Sequence, residues 1–238
     1  MSAPTLTSSL LDKFPWLTHA FQPAGAPAPA GTRYAQQRHT AQVVTSSAAW
    51  PPKSIEADGV ISEADEAVAV YTADCLPVLI ADTQQRRVAA VHGGLKGVMA
   101  GVLQQAVARL VATGSAPQHL QVAIGPSIGA CCYELGADIL QQMRDTPALA
   151  GVPLVWQASP VARANAVRPT APQHANSLRF DLPALARQLL QREGIPAAQI
   201  DVLDVCTYCQ AEAQASYRRN THSGEGYALR FSWIRCLG

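Results

Sequence analysis

Apolar runs separated by short clusters of Gly, Pro, Asp and Ser dominate the middle of this chain. Val68–Thr72 continuing into 77–81, and then 87–92, are rich in Val, Ile, Leu and Ala. Runs of that length bounded by turn residues predict strands covered on both faces. Residues 42–46, Gly59–Ser62, 122–124, 200–205 and 227–234 read as further strands. Residues 97–113, GVMAGVLQQAVARLVAT, have the spacing of an amphipathic helix, and Gly114 supplies its stop. A second helix is predicted over 135–144. A third follows Asp181 in DLPALARQLLQREG, with a side-chain cap, Pro183 in the first turn and Gly194 beyond the end. Two stretches have no period. Residues 22–32, QPAGAPAPAGT, read as a mobile loop, and 148–177, with scattered prolines, as an excursion. With no internal repeat and no dividing linker, the pattern predicts one α+β domain.

Composition narrows the function classes. The chain has 238 residues, 48% of them hydrophobic, enough to bury a substantial core. Charged residues make up 15% and the net charge is +1, so no basic surface is available to neutralise a phosphate backbone, and nucleic acid is not the expected partner. No apolar stretch reaches the roughly 20 residues of a membrane helix, and MSAPTLTSSLLDKF lacks the pattern of a secretory leader. The expected compartment is therefore the cytoplasm, with six reduced cysteines.

The chemistry centres on AVAVYTADCLPVLIAD, where Asp74, Cys75 and Pro77 interrupt an apolar strand. The next strand ends in His92, followed by two glycines and a helix start; His39 precedes an earlier strand. If the two long strands are neighbours, Cys75 and His92 share an edge of the sheet. One thiolate and two imidazoles form a borderline-soft ligand set for zinc or copper, with a coordination position left open. The same residues are also what a hydrogen-bonded strand-end histidine and a small buried cysteine look like. Asp74 and Cys75 point to opposite faces of a regular strand. Both reach one site only if the chain bends, which Pro77 permits; Asp74 could then act as a general base.

The phrases YTADCLPVLIAD, VAAVHGGLKGVMAGVL, AIGPSIGACCYELG and SYRRN resemble the successive motifs of the YfiH/laccase-domain family over roughly residues 36–238. That family is also described as polyphenol oxidase or peptidoglycan editing factor, and includes purine nucleoside phosphorylases. The resemblance implies mixed β-sheets packed as a sandwich with flanking helices, in a four-layer α/β/β/α order. It also implies a metal held by His39, Cys75 and His92, zinc with copper as the alternative. The implied reactions are phosphorolysis of adenosine, inosine and methylthioadenosine, and adenosine deamination, with phosphate met by Lys96 or Arg218. The chain departs from the family pattern at QRHT, at HGGLKG, where a tryptophan and an arginine become Leu95 and Lys96, and at Ser223-Gly224-Glu225. Lysine meets an anion as a point charge, without the arginine fork.

The remaining motifs have bland readings beside functional ones. GPSIGACC is a turn that could offer backbone N–H groups to an anion, and Cys131 and Cys132 read as packing residues. Cys206-Thr-Tyr-Cys209 has C-x-x-C spacing without a second such pair, so it reads as a core cysteine and a turn cysteine rather than a redox pair or zinc knot. Asp58 is placed to orient a ligand histidine or to sit in a turn. His19, His119, His174 and His222 read as surface residues. Three rival functions stand beside a nucleoside enzyme: copper-dependent phenol oxidation, a non-catalytic metal-binding or cell-wall-editing accessory, and a cysteine hydrolase with Cys75 as nucleophile and His92 as base. Six histidines are too few for a blue-copper centre plus a trinuclear cluster. Small-molecule substrates are expected; oligomeric state is not legible.

Overall fold

The computed structural model describes residues 3–47, 49–157, 164–172, 174 and 177–237. Its strands are β1 (Leu17–Phe21), β2 (Val43–Thr45), β3 (Gly59–Ser62), β4 (Val68–Thr72), β5 (Leu76–Asp82), β6 (Arg87–Gly93), β7 (Leu120–Ile124), β8 (Glu134–Leu135), β9 (Trp156–Gln157), β10 (Leu178–Phe180), β11 (Ile200–Val202) and β12 (Arg230–Cys236). The helices are α1 (Leu95–Ala100), α2 (Val102–Ala112), α3 (Ala137–Arg144), α4 (Leu182–Arg192) and α5 (Tyr217–Ser223). A six-stranded mixed sheet runs β11-β7-β5-β6-β3-β2, a three-stranded sheet β1-β12-β4, and a small sheet β8-β10-β9.

Strand β5 shows why its sequence is continuously apolar. Leu76, Val78 and Ile80 pack into the core beneath α2 and α4. Leu79 and Ala81 alternate with them into a second core, shared with Val68, Val70 and Ile234 of the three-stranded sheet. Period-two alternation puts both sets in protein when a strand is covered on each face. Each fully buried Leu, Ile or Val contributes about 1.5–3 kcal/mol. The expected α+β domain is what forms, with helices on one face of the central sheet and a second sheet on the other.

Several elements differ from the sequence-based expectation for identifiable reasons. The predicted 97–113 helix is two helices, because Gly101 adopts φ 92° and its N–H turns back to the Val98 carbonyl at 3.1 Å. Helix α3 starts at Ala137, since Glu134 and Leu135 pair with Arg179 and Leu178. Strand β12 extends to Cys236, which pairs with Leu17 of β1, so the segment before residue 36 supplies an edge strand of the same fold. Helix α5 was not expected; Ser216 caps it by accepting from the Arg219 N–H at 3.1 Å. The interrupted strand is two strands in different sheets: β4 pairs with β12, β5 with β6 and β7. Asp74 stands at the crossing with φ 84°. Among the described residues, no helix is long and apolar enough to cross a membrane.

Candidate metal centre

Strands β5 and β6 are antiparallel neighbours, with Leu76 opposite Gly93 and Pro77 opposite His92. That register sets Cys75, one residue before β5, at the same edge as His92. His39 arrives from the loop ahead of β2 in a left-handed backbone conformation, φ 60°. A non-glycine residue holds that conformation only when its surroundings fix it, and here Asp58 does so. One Asp58 oxygen accepts from the His39 N–H at 2.9 Å; the other accepts from the Thr40 N–H at 2.7 Å and the Thr40 hydroxyl at 2.8 Å. The first oxygen also lies 2.8 Å from His92 Nδ1. Asp58 thus fixes one histidine through its backbone and the other through its ring, leaving Nε2 of His92 for a ligand.

The ligand atoms of His39, Cys75 and His92 all lie within 4.8 Å of one another. His39 Nε2 is 3.8 Å from Cys75 Sγ, and the two imidazole rings meet edge-on with centroids 4.7 Å apart. A zinc ion with Zn–N near 2.0 Å and Zn–S near 2.3 Å in tetrahedral geometry separates such atoms by about 3.5 Å. The spacing fits. His92 is buried, Cys75 half-buried and His39 exposed, so the donors close three sides of a position and leave the fourth towards solvent. The turn below is shaped for it: a Cβ on Gly94 would sit 2.5 Å from the His39 ring and 3.1 Å from the Cys75 sulfur.

Burial pushes the Cys75 thiol up to about 12, helped by the Asp74 and Asp58 carboxylates. His39 is held below its ordinary value by burial and by the charges of His92 and Lys96, against the opposing pull of Asp58. Burial works to raise the Asp58 carboxyl, but hydrogen bonds from His92 and Thr40 outweigh it and hold the group below the usual carboxylate range. A neutral His39 is ready to ligate, and Cys75 is a ligand only once a cation displaces its proton. Catalytic cysteine nucleophiles need the opposite shift, a lowered thiol. The raised Cys75 thiol thus favours the metal-ligand reading over the cysteine-hydrolase one.

Asp74 lies behind Cys75. One of its oxygens accepts from the Thr207 hydroxyl at 2.5 Å, the other from the Arg218 N–H at 2.6 Å, and its carbonyl accepts from Ile128 N–H at 2.9 Å. Burial raises its carboxyl while those donors work against the shift. Both oxygens are occupied, so the side chain fastens β5 to the 206–209 turn and to the start of α5. Arg218 donates to the Glu134 carbonyl at 2.9 Å and stacks its guanidinium 5.6 Å over the Tyr133 ring. It borders a cleft of about 390 Å³ shared with Glu134, His174 and His222. The side chains of His39, Cys75 and His92 do not line that cleft; Arg218, tied through Asp74, is the link. Lys96 is exposed in the first turn of α1.

Some of the site escaped the sequence. Tyr133, whose hydroxyl is pushed up by burial and by its proximity to Cys75, lies inside the AIGPSIGACCYELG motif but was given no role. Thr207 was hidden inside the C-x-x-C pattern. His222 is exposed, as expected; it also lines the Arg218 cleft and lies 3.0 Å from the Tyr208 hydroxyl through Nδ1. His19 is not a surface residue: it is 5% exposed and its Nε2 accepts from the Ser8 N–H at 2.8 Å. The charge reversal at Glu225 has a local use, a 3.3 Å ion pair with Arg168.

A family model described as "Multi-copper polyphenol oxidoreductase laccase" matches residues 19–235. The chain is 33% identical over 166 residues to a Shigella flexneri protein named purine nucleoside phosphorylase YfiH, covering 70% of this chain and 58% of that one. It is 35% identical over 181 residues to a purine nucleoside phosphorylase of Xylella fastidiosa, covering 76% and 62%. This chain thus spans about three-fifths of the relatives it matches. Among solved structures, the YfiH protein of Bacillus licheniformis superposes with a TM-score of 0.70 at 25% identity, covering 87% of this chain and 74% of that one. YlmD of Geobacillus stearothermophilus shares the fold, with a TM-score of 0.72 at 22% identity and the same coverage of both chains.

Proposed function

The chain belongs to the YfiH-type laccase-domain family, and from that membership and the His39–Cys75–His92 cluster we propose that it is a zinc-dependent purine nucleoside phosphorylase. The observation that carries the reading is the convergence of two imidazoles and a thiol from three separate segments, with Asp58 fixing both histidines. Zinc held there would supply Lewis acidity beside a substrate oxygen. The chain's own residues do the rest. Lys96 and Arg218 bring positive charge for phosphate, Arg218 with a fork suited to two oxygens. Asp74 is a positioning residue, holding the backbone of Arg218 and the hydroxyl of Thr207. In phosphorolysis a phosphate oxygen bonds to the ribose C1′ as the bond from C1′ to the base nitrogen breaks. The bonding pair leaves with the purine, which takes up a proton, and ribose 1-phosphate is released. Adenosine, inosine and methylthioadenosine are the proposed substrates; adenosine deamination at the same centre is the proposed second reaction.

The family description and the soft ligand set favour one other reading, single-copper oxidation of phenols, since copper outcompetes zinc at such donors. Multicopper chemistry needs further histidine clusters. Among the described residues, the ligating clusters are this one and a group of four cysteines. The test is product chromatography of inosine with and without phosphate, using zinc-loaded protein. Phosphate-dependent hypoxanthine supports the proposal. Phenol oxidation that requires added copper, with no turnover of inosine, supports the alternative.

A further inference from the structure

Cys131, Cys132, Cys206 and Cys209 are each no more than 2% exposed, and their four sulfurs all lie within 4.8 Å of one another. Two features of the fold bring them together. Strands β7 and β11 are parallel neighbours, and their pairing continues beyond both C-terminal ends: Ser127 bridges Cys206, with Ser127 N–H to Val205 carbonyl at 3.1 Å and Thr207 N–H to Ser127 carbonyl at 3.0 Å. The turns that follow are therefore held side by side. In the first, the N–H groups of Cys132 and Tyr133 both return to the Gly129 carbonyl at 2.9 Å, and this tight turn brings the adjacent cysteines into one cluster. From sequence, Cys131 and Cys132 read as packing residues, too constrained as neighbours to grip one metal, and the C-x-x-C lacked a second pair; the fold supplies each pair with the other.

We propose that these four cysteines form a second, structural zinc site, closed to substrate. Four thiolates at about 2.3 Å on a tetrahedron are separated by about 3.8 Å, and Cys131 Sγ to Cys209 Sγ is 3.8 Å. All four are free thiols, and that separation is far beyond a disulfide bond of about 2.05 Å. The surroundings suit sulfur anions. The Gly129 N–H points at Cys206 Sγ at 3.3 Å and the Ala171 N–H at Cys132 Sγ at 3.5 Å. Arg179, wholly buried, donates to the carbonyls of Cys131 at 2.7 Å and Ala171 at 2.6 Å, placing a cation beside a centre that would carry net negative charge. Complete burial leaves no open position, the mark of a structural rather than a catalytic zinc.

The ion would staple the 131–132 turn to the 206–209 turn. The 166–171 stretch rests on this cluster, with the Val167 and Arg168 N–H groups both on the Cys209 carbonyl at 3.1 Å. Thr207, between two of the ligands, donates to Asp74, and Tyr133 follows Cys132 directly. The proposed staple therefore sets the wall behind Cys75 without touching substrate.

The test uses the full chain carrying Cys75→Ala, which weakens the first centre only, so the two sites fail separately. Metal analysis of protein purified under reducing conditions should give about one zinc per chain in this variant and about two in the unaltered protein. Cobalt replacing zinc in the variant should show the thiolate-to-metal charge-transfer absorption of a four-sulfur tetrahedral site. Cys209→Ser should keep the first zinc and lose the second, and Cys209→Ser combined with Cys75→Ala should lose the four-sulfur cobalt spectrum. If Cys209→Ser does not fold, the Cys75→Ala spectrum decides alone. A metal-free Cys75→Ala protein that is folded, or intact masses showing loss of hydrogen through disulfides in freshly reduced and dialysed protein, would overturn the proposal.

Discussion

Replacing Asp58 by Asn probes the group that fixes both histidines. The carboxylate takes five donors: the N–H groups of Arg38, His39 and Thr40, the Thr40 hydroxyl and His92 Nδ1. The amide keeps one oxygen and turns an NH₂ towards donors that then have no acceptor. Losing two or three hydrogen bonds to a charged group in a site where Asp58 is 1% exposed costs about 2–4 kcal/mol. For a chain of this size that lowers the melting temperature by about 5–15 °C. The effect on metal is separable. Outer partners of ligating histidines are worth about 10–100-fold in affinity, so zinc competition against a chromophoric chelator should show a loss in that range at a temperature where the variant is fully folded. If affinity changes less than twofold while the melting temperature falls, Asp58 is only a loop clasp, and the orienting argument fails.

Gly94→Ala should remove metal from the triad by forcing a methyl against the His39 ring and the Cys75 sulfur, at 2.5 and 3.1 Å, while leaving circular dichroism unchanged; full zinc content would contradict the close-fit reading. Thr207→Val deletes the 2.5 Å donor to Asp74 and should lower unfolding free energy by about 1.5–3 kcal/mol in urea titrations. His19 is held below its ordinary value, chiefly by burial, partly offset by Asp12 and Asp201. The unfolded chain therefore takes up a proton first as pH falls. The stability His19 contributes is present above its unfolded value, near 6.5, and is lost between there and its lower folded value. His19→Gln should flatten that part of the melting-temperature profile; an unchanged slope would place the acid limb elsewhere.

Much of the frame was legible because local pattern and burial agree. The double burial of β5 and β6 reads directly from their unbroken Val, Ile, Leu and Ala, and the Asp181 cap, confirmed by the 2.9 Å bond from Ala184, from one acidic residue before a proline. The nearness of Cys75 and His92 followed from pairing two adjacent strands. His39 was a weaker candidate from the residues alone: it is 36 residues from Cys75 and reaches it through a left-handed turn held by Asp58, and the family resemblance is what singled it out among the histidines. The Asp74–Cys75 step looked like a kink in one strand. It is a crossing between two sheets, and nothing local distinguishes those cases. The four cysteines were invisible as a group for the same reason, since β7 and β11 are parallel neighbours widely separated in the chain.

The measurement closest to the central claim follows phosphorus during turnover of inosine by zinc-reconstituted protein and by its Cys75→Ala variant. Phosphorus NMR should show ribose 1-phosphate forming in step with hypoxanthine for the unaltered protein, and none for the variant. Hypoxanthine released without a sugar phosphate, or equal turnover by the variant, would contradict phosphorolysis at the His39–Cys75–His92 centre.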